Sequence, residues 1–277
     1  LMFSSILNIG LDLFFVAKLH MGVAGAAWAT LISQAISAVL SFGFLMRKLK
    51  GIETEYFAKY DVGMLKRMVT VAIPTIVQQS IVSVGMLLIQ SVVNRFGSTF
   101  IAGYTAAVKI DGIAITPMVA VGNAASTYVA QNMGARKPER ISQGYRICLT
   151  MAAGIGLFIA VVLHFAGEEV VGLFMDSANS AGAISIGAEY LSIVSLFYFI
   201  MGIMNVSSGI LRGAADMKWF LACSLCNLAT RVVLSYALAG ITAGKIIMWA
   251  NPIGWSVGLI IAVFRYFQGG WKKRVLI

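Results

Sequence analysis

The chain has 277 residues, of which 59% are hydrophobic and only 12% charged, and its mean hydropathy is +0.87. Soluble domains carry roughly 45–50% apolar and about 25% charged residues, so this composition excludes a water-exposed globule and a disordered tail and suits a lipid bilayer. The 21 Lys+Arg against 11 Asp+Glu leave a net charge of +10, and the placement of those charges decides between nucleic acid and membrane topology.

A membrane helix takes about 20 mostly apolar residues. Eight stretches qualify, at about 2–17, 22–46, 68–93, 99–129, 146–166, 186–211, 219–239 and 246–267. Each is too long for a membrane strand and none alternates strictly, which predicts an all-α, polytopic transmembrane helical bundle. Leu1 already lies against the first apolar stretch, with no signal peptide visible. The chain is therefore expected to be a fragment that lacks its natural start.

Most of the basic residues fall in alternate connections. Arg47, Lys48, Lys50, Lys59, Lys66 and Arg67 lie in 47–67, Arg136, Lys137, Arg140 and Arg146 in 131–146, and Arg212 and Lys218 in 212–218. Arg265, Lys272, Lys273 and Arg274 follow the last span, whereas the other connections hold Lys18, Arg95 and Lys245. The positive-inside rule makes the first set cytoplasmic, which puts both ends of the chain inside. The acidic Glu168, Glu169 and Asp176 are then expected in an outer loop. The basic surplus reads as topology in a plasma (inner) membrane, with some attraction to anionic lipid, and not as a nucleic-acid surface.

The polar stretch 47–67 divides two spans from six. Ser5-Ile6-Leu7-Asn8 resembles Ser224-Leu225-Cys226-Asn227 at an offset of 219 residues, and Asp12 falls opposite Arg231 at the same offset. Gly25 and Trp28-Ala29 resemble Gly244 and Trp249-Ala250 with two residues inserted. Spans 1–2 thus read as counterparts of spans 7–8, an internal repeat of the kind found in secondary transporters.

Charges within spans are functional candidates by default, and four stand out: Asp12, Lys109, Asp111 and Arg231. Asn8 lies one turn before Asp12 on the same helix face. A carboxylate and a carboxamide together can offer oxygens to Na⁺, and the carboxyl can alternatively take a proton. Lys109 and Asp111 are two residues apart and cannot face each other, so Asp111 is expected to pair with Arg231 on another span. Pro74, Pro117 and Pro252 lie inside spans, where each removes a backbone donor. Pro74 is a candidate hinge, and Gln78 and Gln79 one turn later are candidate cavity residues. Gln90 and Asn94 continue the polar groups of that span. The loops Gln131–Arg146 and Arg212–Lys218 are expected to tie helix ends together. Glu189, near the outer end of its span, is assigned no chemistry. Cys223 and Cys226 lack the further ligands zinc needs. No P-loop, catalytic triad or HExxH pattern appears, so the expectation is a non-enzyme without cofactor or metal beyond a coupling ion.

Two strings add a family resemblance. Val129-Ala130-Gln131-Asn132-Met133-Gly134-Ala135-Arg136 and Gly209-Ile210-Leu211-Arg212-Gly213-Ala214-Ala215-Asp216 resemble the "GQN-hydrophobic-GA" and "LRGAGD" signatures of the multidrug and toxic compound extrusion (MATE) family. Ile73-Pro74, Asn8-Ile9-Gly10-Leu11-Asp12 and the tract Trp249–Trp255 resemble that family's seventh, fifth and last helices. The resemblance implies two six-helix lobes related by a pseudo-two-fold axis. Residues 1–46 would be the last two helices of the N-terminal lobe, 47–67 a cytoplasmic inter-lobe linker, and 68–277 the C-terminal lobe. It further implies a monomeric antiporter that exchanges H⁺ or Na⁺ for small organic, often cationic or amphipathic, compounds by alternating access. Asn8 and Asp12 would be its coupling pair, completed by helices of the same protein outside this chain. One branch of the family carries a Glu on the seventh helix and an Asp on the tenth. Here Gln78 and Gln79 replace the first and no Asp lies between Phe197 and Ser208, which favours coupling in the N-terminal lobe. A lipid-linked oligosaccharide flippase of related fold is the alternative.

Overall fold

In the computed structural model, which describes residues 2–51, 61–175 and 180–273, the chain is helical throughout, with no strand among those residues. It divides into two compact units, 1–61 and 62–277.

The first unit is a helical hairpin. Helix α1 (Met2–Asp12) passes into a π-helical turn, Leu13–Lys18, where the Leu19 N–H donates to the Phe14 carbonyl at 3.1 Å. Helix α2 (Gly22–Lys50) returns against it, and the Ser4 hydroxyl donates to the Ser33 carbonyl at 2.9 Å. Gly25 sits where a side chain would strike Phe15 and Met21. Among its described residues this unit buries only Gly25, Ala29 and Ser33. Two helices cannot enclose more, so nearly all of their apolar surface is left for lipid or further helices.

The second unit holds α3 (Val62–Val93), α4 (Gly97–Gly134), α5 (Glu139–Gly172), α6 (Ala181–Ser195), α7 (Tyr198–Gly213), α8 (Met217–Leu238) and α9 (Lys245–Gln268). Five described stretches are long and apolar enough to cross a bilayer, or six if α6 and α7 count as one bent span. The stretch Val62–Gly134 is one of the five, but it reverses at Asn94–Gly97. Helix α3 runs parallel to α8, with Gly85 on Leu228 and Arg95 on Tyr236. Helix α9 runs antiparallel to α8, as the pairs Gly254–Arg231 and Gly258–Cys223 require; α7 runs parallel to α9 (Gly258–Met204 and Arg265–Asp216) and α4 parallel to α7 (Gly122–Asn205 and Gly213–Ser126), so α4 too is antiparallel to α8. With the short α1 included, the eight hydrophobic elements follow one another as the sequence predicts.

Two departures from that reading are informative. The stretch 186–211 is not one helix: α6 and α7 meet at 54° across Leu196–Phe197. Neither Gly nor Pro stands there, so the sequence carries no breaker signal. Glu168 and Glu169 do not lie in a loop but in the last turns of α5; Asp176 lies outside the described residues.

Small residues let α7 approach its neighbours closely, as membrane packing favours. A side chain on Gly209 would run into the Gly122 carbonyl, and one on Gly213 into the Ser126 carbonyl. At the end of the bundle that carries the basic turns, both family-like strings close a helix in the same way. The Lys137 N–H donates to the Asn132 carbonyl and that of Arg136 to Met133; the Asp216 N–H donates to Leu211 and that of Ala215 to Arg212. This paired pattern is a Schellman cap, whose turn residue sits in the left-handed region. Here that residue is Arg136 at φ 55° and Ala215 at φ 54°. The Arg265 guanidinium then donates to buried Asp216 at 2.7 Å, which clamps the α7–α8 turn to the end of α9.

A left-handed Ala is strained by roughly 1–2 kcal/mol, which Gly avoids. Ala215→Gly should therefore raise the melting temperature of the purified protein in detergent. Gly209→Val should lower it by overpacking the α4–α7 contact, at a cost of about 1–3 kcal/mol.

Candidate functional site

Of the polar clusters within the described helices, three differ in how far their hydrogen bonds are met.

The first is centred on Asp111, which is 8% exposed. Tyr198, at the start of α7, donates its hydroxyl to Asp111 Oδ1 at 2.7 Å, and Tyr190 of α6 donates to Oδ2 at 3.5 Å. The Asn251 amide of α9 donates in turn to the Tyr190 hydroxyl at 2.7 Å. Four helices meet in this network, and the α6–α7 break falls between its two tyrosines. Trp255 lies against Tyr198, and Tyr104 stands edge-on to Tyr190. The expected Asp111–Arg231 pair is not formed: among the described residues the ion pairs are Arg265–Asp216 and an exposed Lys245–Glu189. Asp111 takes neutral hydroxyl donors because Tyr190 and Tyr198 reach it inside the packed core, whereas Arg231 faces a cavity. The sequence reading missed Tyr190, Tyr198 and Asn251. Their signal was the rule that a carboxylate within a span must find donors, but which span supplies them depends on packing.

The second is a cavity of about 360 Å³ within the second unit. Helix α3 contributes Gln78 and Gln79, and α4 contributes Asn123. Helix α7 contributes Asn205, Ser208 and Arg212, and α8 contributes Ser224, Asn227 and Arg231. Among the described residues no Asp or Glu lines it. Arg212 donates to Asn123 Oδ1 at 2.6 Å and to the Ser126 hydroxyl at 3.2 Å, and its plane lies over Phe220. Arg231 packs on Gly254, where a Cβ would come within 2.6 Å of its side chain. Its Nε is buried without a hydrogen-bond partner among the described residues, as is Asn227 Oδ1. Pro74 lies one turn before Gln78, inside an α3 that continues through it. Gln90 donates to Asn94 on the same face. Lys109 is exposed and turns away from Asp111; it shares a heptad-spaced, exposed stripe of α4 with Thr116 and Asn123.

The third is in the first unit. Asn8 and Asp12 are half-buried one turn apart, and Asp12 is the last residue before the π turn. Asn8 Nδ2 and Asp12 Oδ1 are both buried without a partner among the described residues. π turns occur often at functional sites. A half-turn of the carboxamide exchanges its donor for its acceptor, so this pair can present two oxygens to a cation, or one oxygen and an N–H to a protonated carboxyl.

Removing the Tyr198 hydroxyl leaves a buried carboxylate short of its nearest donor, a loss of about 1–3 kcal/mol. Tyr198→Phe should lower the melting temperature in detergent, while Tyr236→Phe, at an exposed position, should leave it unchanged.

Comparison with known proteins gives the same fold and names its family. Over 98% of the chain the structure superposes on a MOP superfamily transporter from Pyrococcus furiosus, described for the reverse polarity of its binding pocket, with a TM-score of 0.89 at 22% identity. It superposes equally far on a multidrug resistance MATE family transporter in an outward-facing conformation, with a TM-score of 0.88 at 24% identity. Each match covers 62% of the neighbour. In sequence, the chain is 28% identical over 281 residues to the probable multidrug resistance protein YpnP of Bacillus subtilis, covering 99% of this chain and 61% of that protein. It is 23% identical to the probable multidrug resistance protein NorM of Thermotoga maritima, covering 93% of this chain and 56% of that protein. The chain thus spans about three-fifths of the length of such relatives. The MatE family profile matches residues 74–237, more than half of the chain, and the chain accordingly belongs to the MatE family.

Proposed function

We propose that this chain is the C-terminal part of a cation-coupled antiporter that exports small amphipathic organic compounds. Residues 1–46 supply the last two helices of its N-terminal lobe, 47–67 the linker and 68–277 the C-terminal lobe. The basic end of the second unit faces the cytoplasm by the positive-inside rule, in a plasma (inner) membrane. A monomer suffices, its coupling site completed by N-terminal helices of the same protein.

One observation carries the coupling role: the two buried, unpartnered polar atoms of Asn8 and Asp12 at the junction of α and π helix. An ionised carboxylate in oil is costly. Binding Na⁺ or H⁺ removes that cost, and departure of the ion restores it. The occupancy of Asp12 therefore biases whichever of two packings leaves it better solvated, which is what alternating access requires. The cavity of the second unit, with Pro74 beside its glutamines as a flexible point, is the site for the exported compound. The B. subtilis and T. maritima relatives named as multidrug resistance proteins support this reading of the substrate class.

The test is efflux from membrane vesicles that contain the transporter expressed from the complete reading frame. A panel of fluorescent organic compounds is loaded and an H⁺ or Na⁺ gradient imposed. Asp12→Asn should slow gradient-driven efflux by roughly tenfold or more, as loss of a coupling free energy implies, with the protein still present in the membrane at the wild-type level. Efflux at the wild-type rate would remove Asp12 from the mechanism.

A further inference from the structure

The sequence repeat places Asn8 opposite Asn227 and Asp12 opposite Arg231. In both copies the asparagine stands one helical turn before the charge. In both copies each of the two side chains keeps a buried polar atom with no partner among the described residues: Asn8 Nδ2 and Asp12 Oδ1 in the first, Asn227 Oδ1 and Arg231 Nε in the second. Folded proteins rarely leave such atoms unmet without a reason. The repeat thus keeps the asparagine and inverts the sign of the charge between the copies. A carboxylate calls for a cation; a guanidinium calls for an anion.

We propose that the cavity of the second unit binds the anionic group of a soluble organic compound, with Arg231 as its counter-charge. This rests on the reading that the cavity is the substrate site, and it names the charge of the substrate. The lining supports it on three counts. Among the described residues its charged groups are Arg212 and Arg231, with no Asp or Glu. Arg212 already spends two of its nitrogens on Asn123 and Ser126, whereas Arg231 makes no hydrogen bond or ion pair among the described residues. Asp111, the carboxylate within electrostatic reach of Arg231, has its oxygens held by Tyr198 and Tyr190 and does not line the cavity. A guanidinium presents a planar fork that matches a carboxylate or phosphate with two parallel hydrogen bonds. The neutral amides Gln78, Gln79 and Asn205 can donate to the remaining oxygens of such a group. A volume of about 360 Å³ fits a small aromatic acid. The cationic compounds that the family resemblance implies would instead meet two guanidinium groups with no carboxylate to offset them.

The test is equilibrium binding to the transporter from the complete reading frame, in phosphatidylcholine nanodiscs without any ion gradient. Two planar dyes of opposite charge, carboxyfluorescein and ethidium, are followed by fluorescence anisotropy. The wild type should prefer carboxyfluorescein. Arg231→Gln should weaken carboxyfluorescein binding by about tenfold to a hundredfold, the loss of a charge-assisted hydrogen bond, and should tighten ethidium binding or leave it as it is. Arg231→Lys, which keeps the charge but not the fork, should bind carboxyfluorescein with an affinity between those of the wild type and the Gln variant, and that partial rescue shows that a loss in the Gln variant is not misfolding. A wild-type preference for ethidium, or an Arg231→Gln variant that still binds carboxyfluorescein normally, would overturn the proposal. Nanodiscs with one third phosphatidylglycerol identify the source of the anion. Unchanged dye binding upholds a soluble organic anion, and displacement of the dye would put a lipid headgroup there and overturn that assignment. Because no gradient is applied, a failure here leaves the transport reading standing, and a failure of gradient-driven efflux leaves the charge preference standing.

Discussion

A polar group in oil must find a partner, and that single demand organises this molecule. Lipid offers no hydrogen bonds, so each buried donor and acceptor is met by the chain, by trapped water or by a ligand. The second unit meets the demand completely around Asp111, where two tyrosine hydroxyls and an asparagine join four helices. It meets it again at the basic end, where Asp216 and Arg265 hold the α7–α8 turn against α9. Both arrangements fix the bundle. Among the described residues the demand is left open at Asn8–Asp12 and at Asn227–Arg231, and also at the hydroxyls of Ser195 and Ser235.

That contrast separates charges that fix the bundle from charges with unmet atoms, which position in a span does not do. Lys109, Asp111, Asp12 and Arg231 are equally costly by hydropathy. In the fold, Asp111 is enclosed and satisfied, Lys109 is exposed on a polar stripe of α4, and Asp12 and Arg231 are left with unmet atoms. A satisfied network resists rearrangement, because every move breaks a bond that nothing in lipid replaces. An unsatisfied group can change partners at little cost.

The two family-like strings show the same logic at the backbone level. Their shared physical content is a Schellman cap, which gives the last carbonyls of α4 and α7 their donors as the chain turns. The Ala215 that stands where the signature has Gly keeps this cap, with its backbone in the left-handed region. The signatures thus mark the places where the chain has to turn sharply between helices that pack on glycine, as Gly209 and Gly213 do against α4.

The sequence by itself determined the solvent, the helical class, the order of the hydrophobic elements and the end of the bundle that carries the basic turns. All of these follow from composition and from apolar runs measured against bilayer thickness, which are local properties. It also brought out the repeat that pairs Asn8–Asp12 with Asn227–Arg231, because that repeat is written in residue order. Only the tertiary structure decided the partners. The break between α6 and α7 carries no Gly or Pro, and it stands between the two tyrosines that hold Asp111. The π turn after Asp12 likewise has no breaker residue within it. Which charge is satisfied and which is left open depends on side chains brought together from helices up to 140 residues apart, as Asp111 and Asn251 are, and periodicity along one helix holds no record of its neighbours.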